Sequence, residues 1–347
     1  MNNRSLVTYV TSLLAEKGSV AVREARNLAL EEVTAKESRI ALRHLVTYFK
    51  DTARPTLMAL ACEAVGGDPE TVTQLAAPLI LLAGGIDIHD DIIDRTRKKD
   101  FHLTVLGKSG PDNTLLTGDI LFIKGLTLFA ERLMKLSLQP SVSNQVLAVL
   151  RKTLLGLADG EVIELAGRRK TVIPIRDYLR FVELKGSDGE AYTKIGALVG
   201  SGTPEEVEAL GRYGKHLGTL IILRDDLIDL LNPEEALADR HKYEVLPLPI
   251  FYALKKKGAK EQIIPIISKL STNRKDRENL VAFTQKFGGV KEHEKLLQQY
   301  LSLALDQLKT LPETKARENL EKIAEACSLT HSASSFSPML LTVICSN

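Results

Sequence analysis

The sequence predicts an all-α protein built as one large helical bundle, and three observations support this prediction. Apolar residues recur at steps of three and four, the period of one helix face, in the stretches 6–14, 72–93, 115–136, 142–165, 207–231 and 296–308. No series of alternating apolar and polar residues joined by Asn-Gly or Asp-Gly turns indicates β-hairpins. Residues typical of turns separate the periodic stretches.

The turn residues set the limits of the helices in chain order, at 66–69, 107–113, 139–140, 173–174, 200–204 and 232–233. Helices are predicted to begin at Asp68 and Thr203, because each residue can serve as an N-cap and is followed by a proline and a glutamate. No flexible linker divides the chain, so residues 1–326 are expected to form one domain. The Ser/Thr-rich and then apolar stretch 327–347 is expected to be a tail.

Composition excludes several functional classes. The 44% hydrophobic and 26% charged residues are ordinary for a globular protein, and the net charge of +2 and absence of Trp argue against a nucleic-acid partner. The three cysteines Cys62, Cys327 and Cys345 lack the number and spacing of a disulfide framework or zinc site. No signal peptide and no transmembrane segment are predicted, so a cytoplasmic location is expected.

Two acidic clusters stand out because each follows four consecutive apolar residues of a predicted helix. Both have the form DDxxD, and their six aspartates are Asp90, Asp91, Asp94, Asp225, Asp226 and Asp229. Like charges at this spacing cost an isolated helix about 0.2–0.5 kcal/mol per pair, and burial of an unpaired carboxylate costs far more. A single DDxxD usually marks a solvated helical turn, but two copies in apolar helices favour a cation site. Mg²⁺ suits it, because it binds one or two carboxylates together with substrate phosphates.

With these motifs the sequence resembles the trans-isoprenyl diphosphate synthases, the family of farnesyl and geranylgeranyl diphosphate synthases, from about Ser38 to Ala326. Further matches in the family's order are Arg54-Pro55, Thr104-Val105, Gly118-Asp119, Tyr178 and Lys185. The resemblance implies a bundle of the isoprenoid synthase type with a central apolar cavity, and a homodimer. It also implies the activity. Mg²⁺ held by the six aspartates would assist departure of an allylic diphosphate, isopentenyl diphosphate would add to the resulting cation, and loss of a proton would restore an alkene.

The resemblance assigns substrate contacts to several basic residues, and the sequence departs from the family there. Lys185 corresponds to the family's substrate-binding lysine and is counted with the catalytic residues. Arg54 survives from the segment that binds isopentenyl diphosphate, with Lys50 as a substitute for its lysine. Lys98 and Lys99 stand near the place of an Arg-Arg pair, and Lys242 is expected to be a late phosphate ligand. His89 is expected to form hydrogen bonds beside the first cluster and to contact substrate there.

Product length is expected to depend on Gly85 and Ile86, about one turn before Asp90. In the family, bulky aromatic residues at this level close the channel for the growing chain. Glycine within a helix costs about 1 kcal/mol relative to alanine, so a glycine at this position is expected to have a packing or functional role. Because Gly85 and Ile86 leave the channel open at this level, a linear product of about twenty carbons or more is expected.

Two other functions remain open. A non-catalytic partner subunit of a prenyl diphosphate synthase would explain the altered Lys-Arg segment, and the activity of the isolated chain would distinguish it. A class I terpene cyclase would share the metal-assisted ionisation, and it would form a cyclic hydrocarbon without isopentenyl diphosphate.

Overall fold

The structure is a computed structural model, and it describes residues 2–99, 102–231, 237–270 and 274–329. In chain order the helices are α1 (Asn3–Leu30), α2 (Lys36–Tyr48), α3 (Ala53–Ala64), α4 (Pro69–Ile93), α5 (Val105–Lys135), α6 (Pro140–Gly167), α7 (Ile175–Lys185), α8 (Ser187–Val199), α9 (Pro204–Leu231), α10 (Leu237–Tyr243), α11 (Leu248–Leu254), α12 (Ala259–Ile267), α13 (Arg274–Lys286), α14 (Gly289–Leu308) and α15 (Lys315–Cys327). Strands β1 (Lys98–Lys99) and β2 (His102–Leu103) form one short antiparallel pair between α4 and α5.

The prediction of an all-α fold is confirmed. The largest helix contacts join α4 to α5, α8 to α9, and α9 to α14, and the apolar faces of these helices enclose one continuous core. Most of the predicted tail, residues 330–347, lies outside the described residues, so the predicted division at residue 326 stays a prediction.

Helix α4 runs through the centre of the bundle and carries the first acidic cluster at its C-terminal end. Its start is capped as predicted, since the side chain of Asp68 accepts a hydrogen bond from the amide of Glu70, 3.0 Å away. Pro78 lies within the helix and cannot donate to the carbonyl of Gln74. Arg132 of α5 donates to that carbonyl at 2.8 Å instead. The proline therefore leaves no unsatisfied acceptor where α4 meets α5.

Helix α9 carries the second cluster and packs closely against α8. Its first turn is closed by Thr203 and Glu206, each of which accepts a hydrogen bond from the other's backbone amide. Further along, the backbone of Gly214 contacts that of Gly189 on α8, where any Cβ atom would overlap the opposite chain. This close approach fixes α9, and with it the second cluster, relative to the start of α8.

Two helices, α4 and α5, have the length and composition of membrane-crossing helices. In α4, 72% of the apolar window is buried inside the protein, so this helix is explained as the core of the bundle. In α5 the buried share is only 33%. The exposed apolar side chains of α5 are therefore not explained by the core of the bundle.

Candidate active site

The first cluster lies where α4 ends and the β1–β2 pair begins. Asp91 is buried, and its Oδ1 lies 3.0 Å from the ammonium of Lys99 on β1. Asp94 pairs with the guanidinium of Arg168, which follows α6 and also donates to the carbonyl of Ile93 at 3.0 Å. The end of α4 is thus joined to the end of α6, and two basic side chains from other elements partly neutralise the cluster.

Burial disfavours the ionised form of these carboxyl groups when no cation is bound beside them. Desolvation raises the pKa of Asp90 to about 6 and, although Arg54 and Lys99 oppose it, that of Asp87 to about 7. The pKa of Asp94 rises to about 8, because desolvation is reinforced by the charges of Glu244 and Glu161. A pKa raised by burial indicates that too little positive charge lies near the carboxylate to stabilise its ionised form.

In the second cluster, Asp226 is fully buried and its oxygens are already engaged. Tyr178 of α7 donates to both of them at 2.9 and 2.8 Å, Arg240 of α10 donates at 2.7 Å, and the amide of Leu248 donates at 3.4 Å. Asp226 was predicted as a metal ligand. Its hydrogen bonds hold α7, α10 and α11 together, and its role as a metal ligand stays a prediction.

The other two aspartates of this cluster are about one-third exposed. Asp225 pairs with the buried guanidinium of Arg224 at 2.9 Å, and Asp229 lies 3.2 Å from Arg240. Desolvation raises the pKa of Asp229 to about 7, with Asp225 and Asp226 adding to the rise and Arg240 opposing it. Residues 225 and 229 share one helix face, so the accessible part of the cluster is this pair.

Lys185, the last residue of α7, lies between two carboxylates of α6. Its ammonium is 2.7 Å from Glu161 and forms a second ion pair with Glu164. Burial opposes its charge, but Glu164, Glu161 and Asp90 outweigh that effect and raise the pKa of Lys185. The lysine therefore stays charged beside the first cluster, as its assignment to substrate binding requires.

Side-chain contacts through α6 and α7 connect the two clusters. Arg168 pairs with Asp94 and Glu161, Glu161 pairs with Lys185 of α7, and Tyr178 of the same helix donates to Asp226. Glu244 raises the pKa of Asp94 in the first cluster and that of Asp229 in the second. Glu164 likewise acts on Asp90 and on Tyr178, the partner of Asp226. The ends of α4, α6, α7 and α9 and the segment after α10 thus surround an acidic cleft.

The donor set of this cleft suits a hard divalent cation. Within the described ranges, no three acidic, histidine or cysteine side chains converge closely enough to enclose an ion by themselves. Mg²⁺ commonly binds one or two carboxylates and completes its shell with water and substrate phosphates. Buried carboxylates on two sides of an open cleft fit such a site, which a phosphorylated substrate would complete.

The basic residues predicted to bind substrate differ in their surroundings. Lys50 and Lys98 are exposed, whereas Arg54 is held by Asp51 at 2.9 Å and by Asp188 at 2.7 Å. His89 turns towards α5, with its Nε2 3.3 Å from Asp119. Arg54 is thus fixed inside the bundle, and its availability for a diphosphate stays a prediction.

A narrow apolar cavity lies below the first cluster, between α4, α6 and α8. It is lined by Leu79, Leu82, Ala83, Ile86, Leu150, Thr153, Leu154, Leu157, Asp188, Ala191 and Tyr192. Ile86 therefore lies where it was predicted. The placement of Gly85 in the channel was wrong: a Cβ atom there would lie 2.9 Å from the carbonyl oxygen of Gly118 on α5. Gly85 permits close packing of α4 on α5.

The basic residue of α10 that contacts the second cluster is Arg240, and the assignment of Lys242 as a late phosphate ligand stays a prediction. Lys242 is exposed, and no contact between its side chain and an aspartate of either cluster is found in the described part of the chain. Sequence reasoning also missed Glu164, Arg168 and Glu244. For Glu164 a signal existed, since it follows Glu161 at the three-residue spacing that places both on one helix face.

The match to a known family agrees with this geometry. The profile of the polyprenyl synthetase family covers residues 40–284, which include both DDxxD clusters, Lys185 and the cavity. The chain belongs to the polyprenyl synthetase family. As a member of that family it is a trans-prenyltransferase.

Among curated relatives of this polyprenyl synthetase, a short chain isoprenyl diphosphate synthase of Methanothermobacter thermautotrophicus is 26% identical, over 91% of this chain and 97% of its own length. Heptaprenyl diphosphate synthase component 2 of Geobacillus stearothermophilus is 27% identical, over 93% of this chain and 98% of its own. The chain is therefore a divergent member that matches its relatives over nearly their full lengths.

Solved structures show the same fold. A geranylgeranyl pyrophosphate synthetase of Pyrococcus horikoshii superimposes with a TM-score of 0.81 at 23% identity, covering 92% of this chain and 98% of the other. A polyprenyl synthase of Caulobacter crescentus, complexed with calcium and isoprenyl diphosphate, gives 0.79 at 21% identity, covering 92% and 98%. The predicted bundle of the isoprenoid synthase type is thereby confirmed.

Proposed function

We propose that this polyprenyl synthetase condenses isopentenyl diphosphate with an allylic diphosphate and releases a linear trans-prenyl diphosphate. One observation carries the proposal: two carboxylate clusters border a common cleft, and an apolar cavity begins one turn below the first of them. A cleft that holds cations and diphosphate, continued by a cavity for hydrocarbon, is suited to lengthening a prenyl chain.

The residues of the cleft would have different roles in binding the cation, the diphosphate and the hydrocarbon. We propose that Mg²⁺, held chiefly by Asp90, Asp94, Asp225 and Asp229, would neutralise the departing diphosphate and orient it. Lys185, kept charged by Glu161 and Glu164, would bind the same diphosphate from the side of α7. The apolar walls below Asp90 would hold the hydrocarbon and exclude water from the allylic cation.

We propose a product of about twenty carbons or more, because the cavity wall facing α6 and α8 carries aliphatic residues and no aromatic residue near Asp90. On α4 this wall is formed by Ile86, Ala83 and Leu82, and the aromatic ring of Tyr192 stands at the level of Leu79. The hydroxyl of Tyr192 donates to the carbonyl of Leu79 at 3.2 Å. Leu79 lies about three helical turns before Asp90, so a chain would extend well past the first turn before meeting an aromatic ring.

The test is an assay of the purified chain with Mg²⁺, labelled isopentenyl diphosphate and each short allylic diphosphate, with the product lengths resolved. Label in long prenyl products, lost in Asp90→Ala and in chelator, is the expected result. If the folded protein elongates no primer although it binds diphosphate in a metal-dependent manner, the proposal fails.

We further propose that two copies associate through α5 and α6. Large apolar side chains project from both helices, among them Ile123, Met134, Leu155 and Val162, each more than half exposed. A continuous apolar face of this kind is typical of an interface, and a second copy of the chain would bury the same face on both sides. Sedimentation equilibrium should give a dimer, and Ile123→Glu should shift it towards monomer.

A non-catalytic partner subunit remains the second candidate, and one observation favours it. Arg54, the survivor of the segment predicted to bind isopentenyl diphosphate, is already paired with Asp51 and Asp188. If the isolated chain elongates a primer, this candidate is excluded. Activity that appears only after a second prenyl synthase chain is added would support it.

A further inference from the structure

The second aspartate cluster already contains a cation, the guanidinium of Arg240. Its Nη1 lies 2.7 Å from Asp226, and its Nε lies 3.2 Å from Asp229 and 3.0 Å from Glu244. The arginine side chain is only 15% exposed. One guanidinium therefore serves three carboxylates that come from α9 and from the segment at the end of α10.

The three carboxylates do not depend on Arg240 equally. Asp226 also accepts hydrogen bonds from Tyr178 and from the amide of Leu248, so it keeps partners without the guanidinium. For Asp229, Arg240 is the one basic side chain at ion-pair distance among the residues that the structure describes. The charge of Asp229 is thus balanced mainly by Arg240.

A divalent cation at Asp229 would meet this guanidinium at close range. Two positive charges beside one carboxylate repel each other strongly in a partly buried cleft, so the cation and Arg240 exclude one another from Asp229. Glu244 is an alternative carboxylate partner for the guanidinium. It lies four residues after Arg240, at the spacing of one helical turn, and already accepts its Nε–H at 3.0 Å.

We propose that Arg240 is the resident counterion of the second cluster, that it competes with a divalent cation for Asp229, and that Glu244 retains its guanidinium when the cation enters. The proposal rests on the proposed function in one respect, namely that Asp229 takes part in cation binding. Arg224 differs from Arg240, because it is almost fully buried between Asp225 and the carbonyl of Cys327 and has no comparable room to move.

The experiment measures binding of Mn²⁺ to the metal-free, full-length protein by electron paramagnetic resonance, without any diphosphate. Arg240→Gln is expected to tighten one Mn²⁺ site about tenfold or more, the effect of removing a unit charge roughly 6 Å from a divalent cation even at the dielectric constant of water. The matched control is Arg317→Gln on α15, whose arginine pairs with Glu321 at the same four-residue spacing and the same 3.0 Å. It is expected to bind Mn²⁺ as the wild type does.

Three further substitutions keep the outcomes distinct. Asp229→Asn should lose the site that Arg240→Gln tightens. Glu244→Gln should weaken Mn²⁺ binding more in the wild type than in the Arg240→Gln background, since only the wild type has a guanidinium to relocate. Arg240→Lys retains the charge, so a folded lysine variant should bind Mn²⁺ far less tightly than the glutamine variant.

The results separate this inference from the proposed function. If the wild type binds Mn²⁺ and folded Arg240→Gln binds it no more tightly, Arg240 is a fixed structural partner and the inference is wrong, while the proposed function stands. A wild type that binds no Mn²⁺ and forms no prenyl product in the Mg²⁺ assay would overturn both.

Discussion

Replacing Gly85 with alanine tests whether this glycine lies in the contact between α4 and α5. An added Cβ atom would lie 2.9 Å from the carbonyl oxygen of Gly118 and 2.9 Å from the amide nitrogen of Phe122. Both atoms belong to the backbone of α5 and cannot rotate away, so the helices must separate. Overpacking of this kind typically costs about 1–3 kcal/mol, while alanine gains up to about 1 kcal/mol of helix propensity over glycine.

Gly156→Ala on α6 is the matched control, because its Cβ atom would meet only Ser187 at 3.6 Å and Leu184 at 3.8 Å, both ordinary contacts. The gain in propensity is common to both variants, so urea unfolding should place Gly85→Ala about 1–3 kcal/mol below Gly156→Ala. Because α4 also carries Asp90, kcat should fall in Gly85→Ala alone. Equal stability of the two variants would refute the close packing of Gly85 against α5, and it would favour the predicted placement of Gly85 in the channel.

Three further predictions follow from the site. Tyr178→Phe removes a donor to the buried carboxylate of Asp226, and urea unfolding should show a loss of about 1.5–3 kcal/mol; no loss would mean that Arg240 alone satisfies Asp226. Ala83→Phe narrows the cavity, so chromatography should show shorter prenyl products. Products of unchanged length would mean that the growing prenyl chain does not occupy this cavity. In chelator, stability should decrease as the pH rises from about 4 to about 8 and then level off, because folding raises the pKa of Asp94 from 3.8 to about 8. Thermal melts that are independent of pH over this range would contradict the burial of this carboxyl group.

The positions of α4 and α9 could be predicted because the signals for them are local. Apolar periodicity marks both helices, and Asp68 and Thr203 cap them as their side-chain chemistry predicts. The same regularity accounts for Ile86, which lies four residues before Asp90 and so shares its face. The caps and the position of Ile86 were therefore predictable from local chemistry and from a full-turn spacing within one helix.

The error at Gly85 arose where two helices meet. Gly85 lies one residue before Ile86, which turns it about 100° around the helix, and only the packing of α5 decides what covers that side. Lys242 and Arg240 are two residues apart, so they too lie on different sides of their helix, α10. Their spacing from the second cluster could not decide between them, because that cluster lies on α9 and both basic residues lie on a different helix, α10.

The location of the two clusters explains why a diphosphate should bind together with a cation. Asp90 and Asp94 end α4, and Asp225 and Asp229 lie in the last turns of α9. The C-terminal end of a helix carries a partial negative charge of its own, which adds to these carboxylates and to Glu244 between them. A diphosphate entering without a cation would meet repulsion from every side except those of the basic residues, and Lys185 and Arg240 are already paired with carboxylates. Under the proposed function, the cation and the diphosphate would therefore bind in the cleft together, each supplying the charge that the other lacks.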